Sequence, residues 1–182
     1  MNPEKAHQAS VEEAKRLLGS LAQTNINLGT MTTYRVGGNA ALYVEAQSED
    51  ELSQIAVTQQ ATGLPVLIVG KGSNLLVAEA GFPGIAVSLG EQFEASEIDA
   101  ERAVVRAGGP VALPALARRC VHAGLTGFEW AVGVPGSIGG AIRMNAGGHG
   151  SDMKACVTRA TIFDFANSST ELWDKPRLRF AY

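Results

Sequence analysis

The sequence is poor in cysteine, with only Cys120 and Cys156 among 182 residues. They lie 36 positions apart and outside any C-x-x-C or Cys/His spacing, which excludes the usual structural metal sites. Reduced, half-buried thiols are the expectation. A basic excess is also missing. The chain carries 15 Lys and Arg against 18 Asp and Glu, a net charge of -3, with no block of like charge. Such a chain lacks the cationic footprint of a nucleic-acid binder. Long apolar runs are absent too, far short of the roughly 20 residues that a membrane-spanning helix needs. Met1 to Ala9 is polar and has no signal-peptide core. These absences predict a soluble, cytoplasmic protein with no metal, no nucleic-acid partner and no membrane partner. Nothing in the sequence sets an oligomeric state.

What is abundant is glycine. There are 21 glycines, eight of them between Gly127 and Gly150, against an ordinary usage of about 7%. Glycine concentrated in this way marks sharp turns or backbone in close approach to something else. The remaining composition, 46% hydrophobic and 18% charged, is that of a globular chain able to bury one sizeable core or two small lobes.

Hydrophobic periodicity and capping signals place the elements. Ser10-Val11-Glu12-Glu13 reads as a capping box opening a helix, with Val11, Ala14, Leu17, Leu18 and Leu21 on one stripe. A strand is expected at Leu42–Ala46. Ser48 and Glu51 open a second helix that Gly63 stops. Val66–Val69 reads as a short strand ending in Gly70-Lys71-Gly72-Ser73-Asn74, and Ile85–Leu89 as another. Ala103–Ala107 follows a turn at residues 99–102. A third helix begins near Pro114 and halts at Gly124. Residues 160–165 and 170–173 form a hairpin around Ala166-Asn167-Ser168-Ser169. The pattern is β-α-β, then strands around one helix: an α+β fold of two lobes, with a helical arm at residues 1–24, a first lobe at 25–95 and a second at 96–182.

Two glycine loops carry the chemistry. In Gly70-Lys71-Gly72-Ser73-Asn74-Leu75, unhindered backbone allows successive N–H groups to converge on an anion, with Ser73 and Asn74 as neutral donors and Lys71 as a charge. A diphosphate suits such a cradle, while a plain glycine turn after a strand is the structural alternative. It is not a P-loop, since Gly72 stands where Ser or Thr should follow Lys71. Nor is it a dinucleotide fingerprint, because Leu75 stands where the third glycine belongs. The second loop runs Gly133-Val134-Pro135-Gly136-Ser137-Ile138-Gly139-Gly140-Ala141, then Met144-Asn145-Ala146-Gly147-Gly148. Its small residues suit either a flat ligand or a tight crossover.

These loops, with Thr32-Thr33-Tyr34-Arg35-Val36-Gly37-Gly38-Asn39-Ala40 and with Gly127-Phe128-Glu129 leading into Gly133-Val134-Pro135-Gly136-Ser137, resemble the MurB family of UDP-N-acetylenolpyruvoylglucosamine reductases. The likeness runs from about residue 25 to Tyr182. It implies a PCMH-type FAD-binding domain of two α+β lobes that clasp non-covalent FAD. Gly70, Lys71, Gly72, Ser73, Asn74 and Leu75 would line the diphosphate. Gly133, Pro135, Gly136, Ser137, Gly139, Gly140 and Ala141 would run beside the flavin and its linker, and Asn145, Ala146 and Gly147 near the ring or the substrate entrance. In the family's reaction NADPH reduces FAD, which passes hydride to the enolpyruvyl double bond of a UDP-sugar, aided by an Arg, a Ser and a Glu. Phe180-Ala181-Tyr182 matches the start of the aromatic-x-Tyr-Arg signature. The Arg, and a later domain with the Ser and Glu, have no counterpart in the chain. The expectation is therefore FAD binding without turnover, and no catalytic residue is assigned.

Among single residues, His149 reads as a solvated loop residue, with a covalent flavin link as the alternative, His122 as a surface or half-buried residue, Arg143 as a phosphate or flavin contact or a salt bridge, and Arg35 as serving packing or a turn. Phe128 and Trp130 read as core anchors, and Tyr182 as approaching the substrate.

Overall fold

A computed structural model describes residues 3–181. They divide into two compact units, the first running to Leu89 and including Phe163–Thr170, the second comprising Gly90–Ile162 and the segment from Glu171 onward. The division falls after Leu89, where the sequence placed it after residue 95. Tyr182 lies outside the described residues.

The first unit opens with α1 (Pro3–Leu18). This helix starts well before the Ser10 capping box, so Ser10 lies in mid-helix. Pro3 at its first turn is the start signal that the box obscured. Strand β1 (Ala40–Ala46), α2 (Glu49–Thr62), β2 (Val66–Ile68) and β3 (Phe82–Leu89) complete the unit's frame. Both expected ends of α2 are present. Ser48 Oγ accepts from Glu51 N at 3.2 Å, and Gly63 sits in the left-handed region with its N–H on Gln59 O at 2.8 Å. The three strands are parallel, in the order β1-β3-β2.

Period-two alternation sorts the sheet's side chains. Leu42, Val44 and Ala46 are buried on one face of β1. Tyr43, on the other, joins Leu28, Val69, Val77 and Ala86 in a second small core. Helix α1 packs on α2, with Gln54 Nε2 donating to Leu17 O at 2.8 Å. Parallel neighbours need a crossover, and the one from β2 to β3 is the first glycine loop. It leaves the carboxyl end of β2, where ligands meet parallel sheets. Val69, Leu75 and Val77 pin it to the second core.

The second unit contains the hairpin β4 (Ser96–Asp99) and β5 (Val104–Ala107), then α3 (Leu113–His122). Ala103, read as the first residue of a strand, instead has φ 51 and closes the turn. Next comes α4 (Ile138–Met144), which the sequence hid within the glycine loop. The two-residue strands β6 (Gly147–Gly148) and β7 (Ser151–Asp152) pair antiparallel and lead into α5 (Met153–Cys156). Strands β8 (Arg159–Asp164) and β9 (Ser169–Asp174) form the expected hairpin, whose turn end, Phe163–Thr170, belongs to the first unit, and α6 (Lys175–Leu178) follows. The core of this unit gathers Leu113, Leu116, Ala117, Cys120, Trp130, Ala131, Ile138, Ala141 and Met153. Trp130 and Phe128 meet edge to face at 5.6 Å, so both act as core anchors.

No described helix is long and apolar enough to cross a membrane. Among the described residues no group of three His, Cys, Asp or Glu is placed to hold a metal.

Candidate functional site

In the first unit the candidate cradle is held from beneath and from the side. Below it, Val69, Leu75 and Val77 enter the second core. Leu75, named from the sequence as a cofactor residue, therefore contributes an anchoring side chain. Beside it runs the segment 31–38. Thr33 N donates to Gly72 O at 3.1 Å, and Gly38 N to Ala78 O at 2.9 Å. At Gly72 the approach is so close that a Cβ would lie 2.0 Å from Met31 O and 2.7 Å from Thr32 Cα. Its φ of 65 adds a second reason for glycine.

The consequence for ligand binding lies in the main chain. Among the described residues, the backbone N–H groups of Gly70, Gly72 and Asn74 donate to no acceptor, while Leu75 closes the turn formed by Ser73 and Asn74. Lys71 and Ser73 already have partners within the chain. Open amides on a held bend, with a lysine among them, are the donor set that an anion-binding nest uses. The residues present fit a diphosphate.

The second loop differs in kind. Ser137 is buried and its Oγ accepts from Gly140 N at 3.3 Å, capping α4. Ile138 N donates to Val111 O at 2.9 Å, Gly139 N to Gly109 O at 2.8 Å, and Leu113 N to Gly136 O at 2.9 Å. A Cβ at Gly139 would stand 3.3 Å from Gly109 Cα. The amides of Ile138, Gly139 and Gly140 are thus consumed by the unit itself, and Ala141 is buried in its core. This stretch is packed against residues 109–113 of its own unit. Gly133 is the exception, since a Cβ there would meet only His149 Nε2, at 3.7 Å. This position offers open surface to a flat group. Pro135 lies between Gly133 and Gly136, whose φ is 132.

Asn145 ends α4 in the left-handed region and is buried. Its Oδ1 accepts from Lys154 N at 2.9 Å and its Nδ2 donates to Asp152 Oδ2 at 3.0 Å. The side chain named as a flavin contact thus spends both functions on its own hairpin. Ala146 N donates to Ala141 O at 2.9 Å and Ala146 O accepts from Met153 N at 2.9 Å, while Gly147 pairs with Asp152. Sequence reasoning missed Asp152, although Asp before a short helix is a capping signal. His149 occupies the exposed tip of the β6–β7 turn with φ 51. Arg143 is exposed and has no ion pair among the described residues.

Comparison with known proteins agrees with this geometry. Residues 40–171 match the FAD binding domain family. A UDP-N-acetylenolpyruvoylglucosamine reductase of Synechococcus sp. (strain CC9311) is 39% identical over 154 residues, covering 85% of this chain and 49% of that protein. The enzyme of the same name from Heliobacterium modesticaldum (strain ATCC 51547 / Ice1) is 42% identical over 133 residues, 73% of this chain and 42% of its own length. The chain spans about half the length of these curated relatives. The crystal structure of UDP-N-acetylenolpyruvylglucosamine reductase (MurB) from Thermus caldophilus superposes with a TM-score of 0.73 at 29% identity, covering 88% of this chain and 56% of that one. The chain belongs to the FAD binding domain family, with a PCMH-type α+β fold, and is similar to about half the length of UDP-N-acetylenolpyruvoylglucosamine reductases.

Proposed function

We propose that the chain holds FAD non-covalently, with the diphosphate on the loop from Gly70 to Leu75 and the ring system beside Gly133, Pro135 and Gly136. In the whole reductase, bound FAD would supply the hydride chemistry between NADPH and the enolpyruvyl double bond of a UDP-sugar, a step of peptidoglycan synthesis. The observation that carries this reading is the set of unpartnered amides at Gly70, Gly72 and Asn74, fixed by the neighbouring segment before any ligand arrives. Preorganised donors of this kind lose little on binding an anion. When bound, FAD supplies the redox chemistry, and the protein's part is to hold and orient it.

Ala141, Ser137, Gly139 and Gly140 serve this reading as scaffold, because their polar groups are committed to packing. Asn145, Ala146 and Gly147 shape the adjacent hairpin in the same way. Turnover is proposed for the whole reductase only. Both its nucleotide substrates are multiply charged and made inside the cell, which supports a cytoplasmic site. No nucleic-acid or membrane partner is proposed.

Purified chain, stripped of flavin and titrated with FAD, tests the proposal. The expected result is saturable binding, with the colour passing a filter after denaturation. Protein that stays folded yet takes up no FAD would falsify it, and colour retained on denatured protein would overturn the non-covalent part. The same titration on the full-length reductase, followed by NADPH and the enolpyruvyl UDP-sugar, tests the reaction.

A further inference from the structure

Arg35 has φ 54 in a segment where glycine would be the unstrained choice. Its conformation is enforced by Thr32, whose O and Oγ1 both accept from Arg35 N, at 3.3 and 3.2 Å. Thr32 is itself buried, its hydroxyl donating to Gly29 O at 3.0 Å. Two residues before Arg35, Thr33 N bonds Gly72 O, and two residues after it a Cβ at Gly37 would lie 2.5 Å from Val77 Cβ. The turn that carries Arg35 is thus stitched to the first glycine loop on both sides. Yet the residue is exposed, and among the described residues its guanidinium has no ion pair or hydrogen bond. Packing therefore does not explain it, and the turn would form more easily with glycine. A strained position that keeps an unpaired cation on a turn bonded to the loop with the open amides points to a ligand.

We infer that Arg35 is a binding residue for the FAD diphosphate, its guanidinium supplying charge-assisted hydrogen bonds that complement the amides of Gly70, Gly72 and Asn74. The inference rests on the flavin reading above and adds to it a residue that packing and turn formation leave without a role. Planar, permanently charged guanidinium matches phosphate oxygens in a way that an ammonium does not.

Three variants of the chain decide the matter, each titrated with FAD and each melted without it. Arg35→Gly removes the charge and relieves the backbone, so the FAD-free chain should melt at or above the parent's temperature while its Kd for FAD rises about tenfold. Arg35→Gln keeps the backbone strain and the stem and should lose affinity similarly. Arg35→Lys keeps a charge without the fork and should fall between these and the parent. Because Gln and Lys share the same strain, their comparison stands even if the glycine variant melts early. Parent-like FAD binding in the Gly and Gln variants overturns the inference while leaving the flavin reading intact, as does a Lys variant no better than Gln. A folded parent that binds no FAD sinks the flavin reading itself, and this inference with it.

Discussion

Asp152 accepts from Asn145 Nδ2 at 3.0 Å through one carboxylate oxygen and caps α5 through the other, which accepts from Ala155 N at 2.9 Å. A single side chain thereby ties the end of α4 to the start of α5 and closes the β6–β7 hairpin. Replacing it with alanine removes a helix cap, worth about 1 kcal/mol, and strands the buried amide of Asn145, at about 1–3 kcal/mol. Asp152→Ala should therefore lose about 2–4 kcal/mol in urea unfolding. A loss under about 0.5 kcal/mol would mean that Asn145 finds another acceptor.

Two glycines separate fold from binding. At Gly72 an added methyl meets backbone on both near sides, at a φ of 65. Gly72→Ala should cost about 2–4 kcal/mol, combining left-handed strain with overpacking. At Gly133 the nearest atom would be His149 Nε2 at 3.7 Å, an ordinary contact. Gly133→Ala should leave stability within about 0.5 kcal/mol and weaken FAD, because the methyl occupies the surface assigned to the ring. An unchanged FAD titration in the Gly133 variant would remove that surface from the site.

Much of this arrangement was legible because it is local. Ser48 and Gly63 bound α2 as their types suggest, since caps act within one turn of the chain. The two glycine loops stood out for the same reason. Helix α4 did not, because Gly139 and Gly140 lower its propensity in the first turn. Its caps, Ser137 and Asn145, were the signal available. Tertiary packing against Gly109 and Val111 then decides the conformation. The order β1-β3-β2 depends on pairing between distant segments, which no local pattern encodes. The same limit applies to the site. Glycine spacing drew attention to both loops alike, but only the fold reveals that the second spends the amides of Ile138 and Gly139 on Val111 and Gly109, while the first keeps those of Gly70, Gly72 and Asn74 open among the described residues. Arg35 reads from the sequence as serving packing or a turn, and the backbone dihedral is what makes it conspicuous.

Tyr43 gives stability a pH dependence of definite sign. Its hydroxyl is 2.6 Å from Ser88 Oγ, and burial pushes its pKa above the ordinary tyrosine value. The folded state therefore favours the protonated phenol. That contribution is complete below the unfolded pKa near 10, and is lost as pH rises from there through the higher folded value, at no more than about 1.4 kcal/mol per pH unit. Tyr43→Phe should be less stable than the parent at pH 8, and the gap should narrow on going to pH 11. A gap that widens or stays constant would show that the phenol is not held neutral by the fold.

The two thiols should differ sharply in reactivity. Cys120 is 2% exposed within α3, and burial pushes its thiol pKa up despite the neighbouring Arg119. Only the thiolate attacks an alkylating reagent, so burial slows Cys120 twice, by access and by ionisation. Cys156 is half-buried, and its Sγ lies 3.4 Å from Gly127 O in a weak hydrogen bond that local motion can open. Native protein treated with iodoacetamide at neutral pH should gain one label at Cys156. Cys120 should label more than about a hundredfold more slowly, at a rate set by opening of the second unit's core. In Cys156→Ser the fast label should vanish, while denaturant should release Cys120 in both proteins. Rapid labelling of Cys120 in folded Cys156→Ser would mean that the packing of α3 on Trp130 and Met153 opens far more readily than its burial indicates.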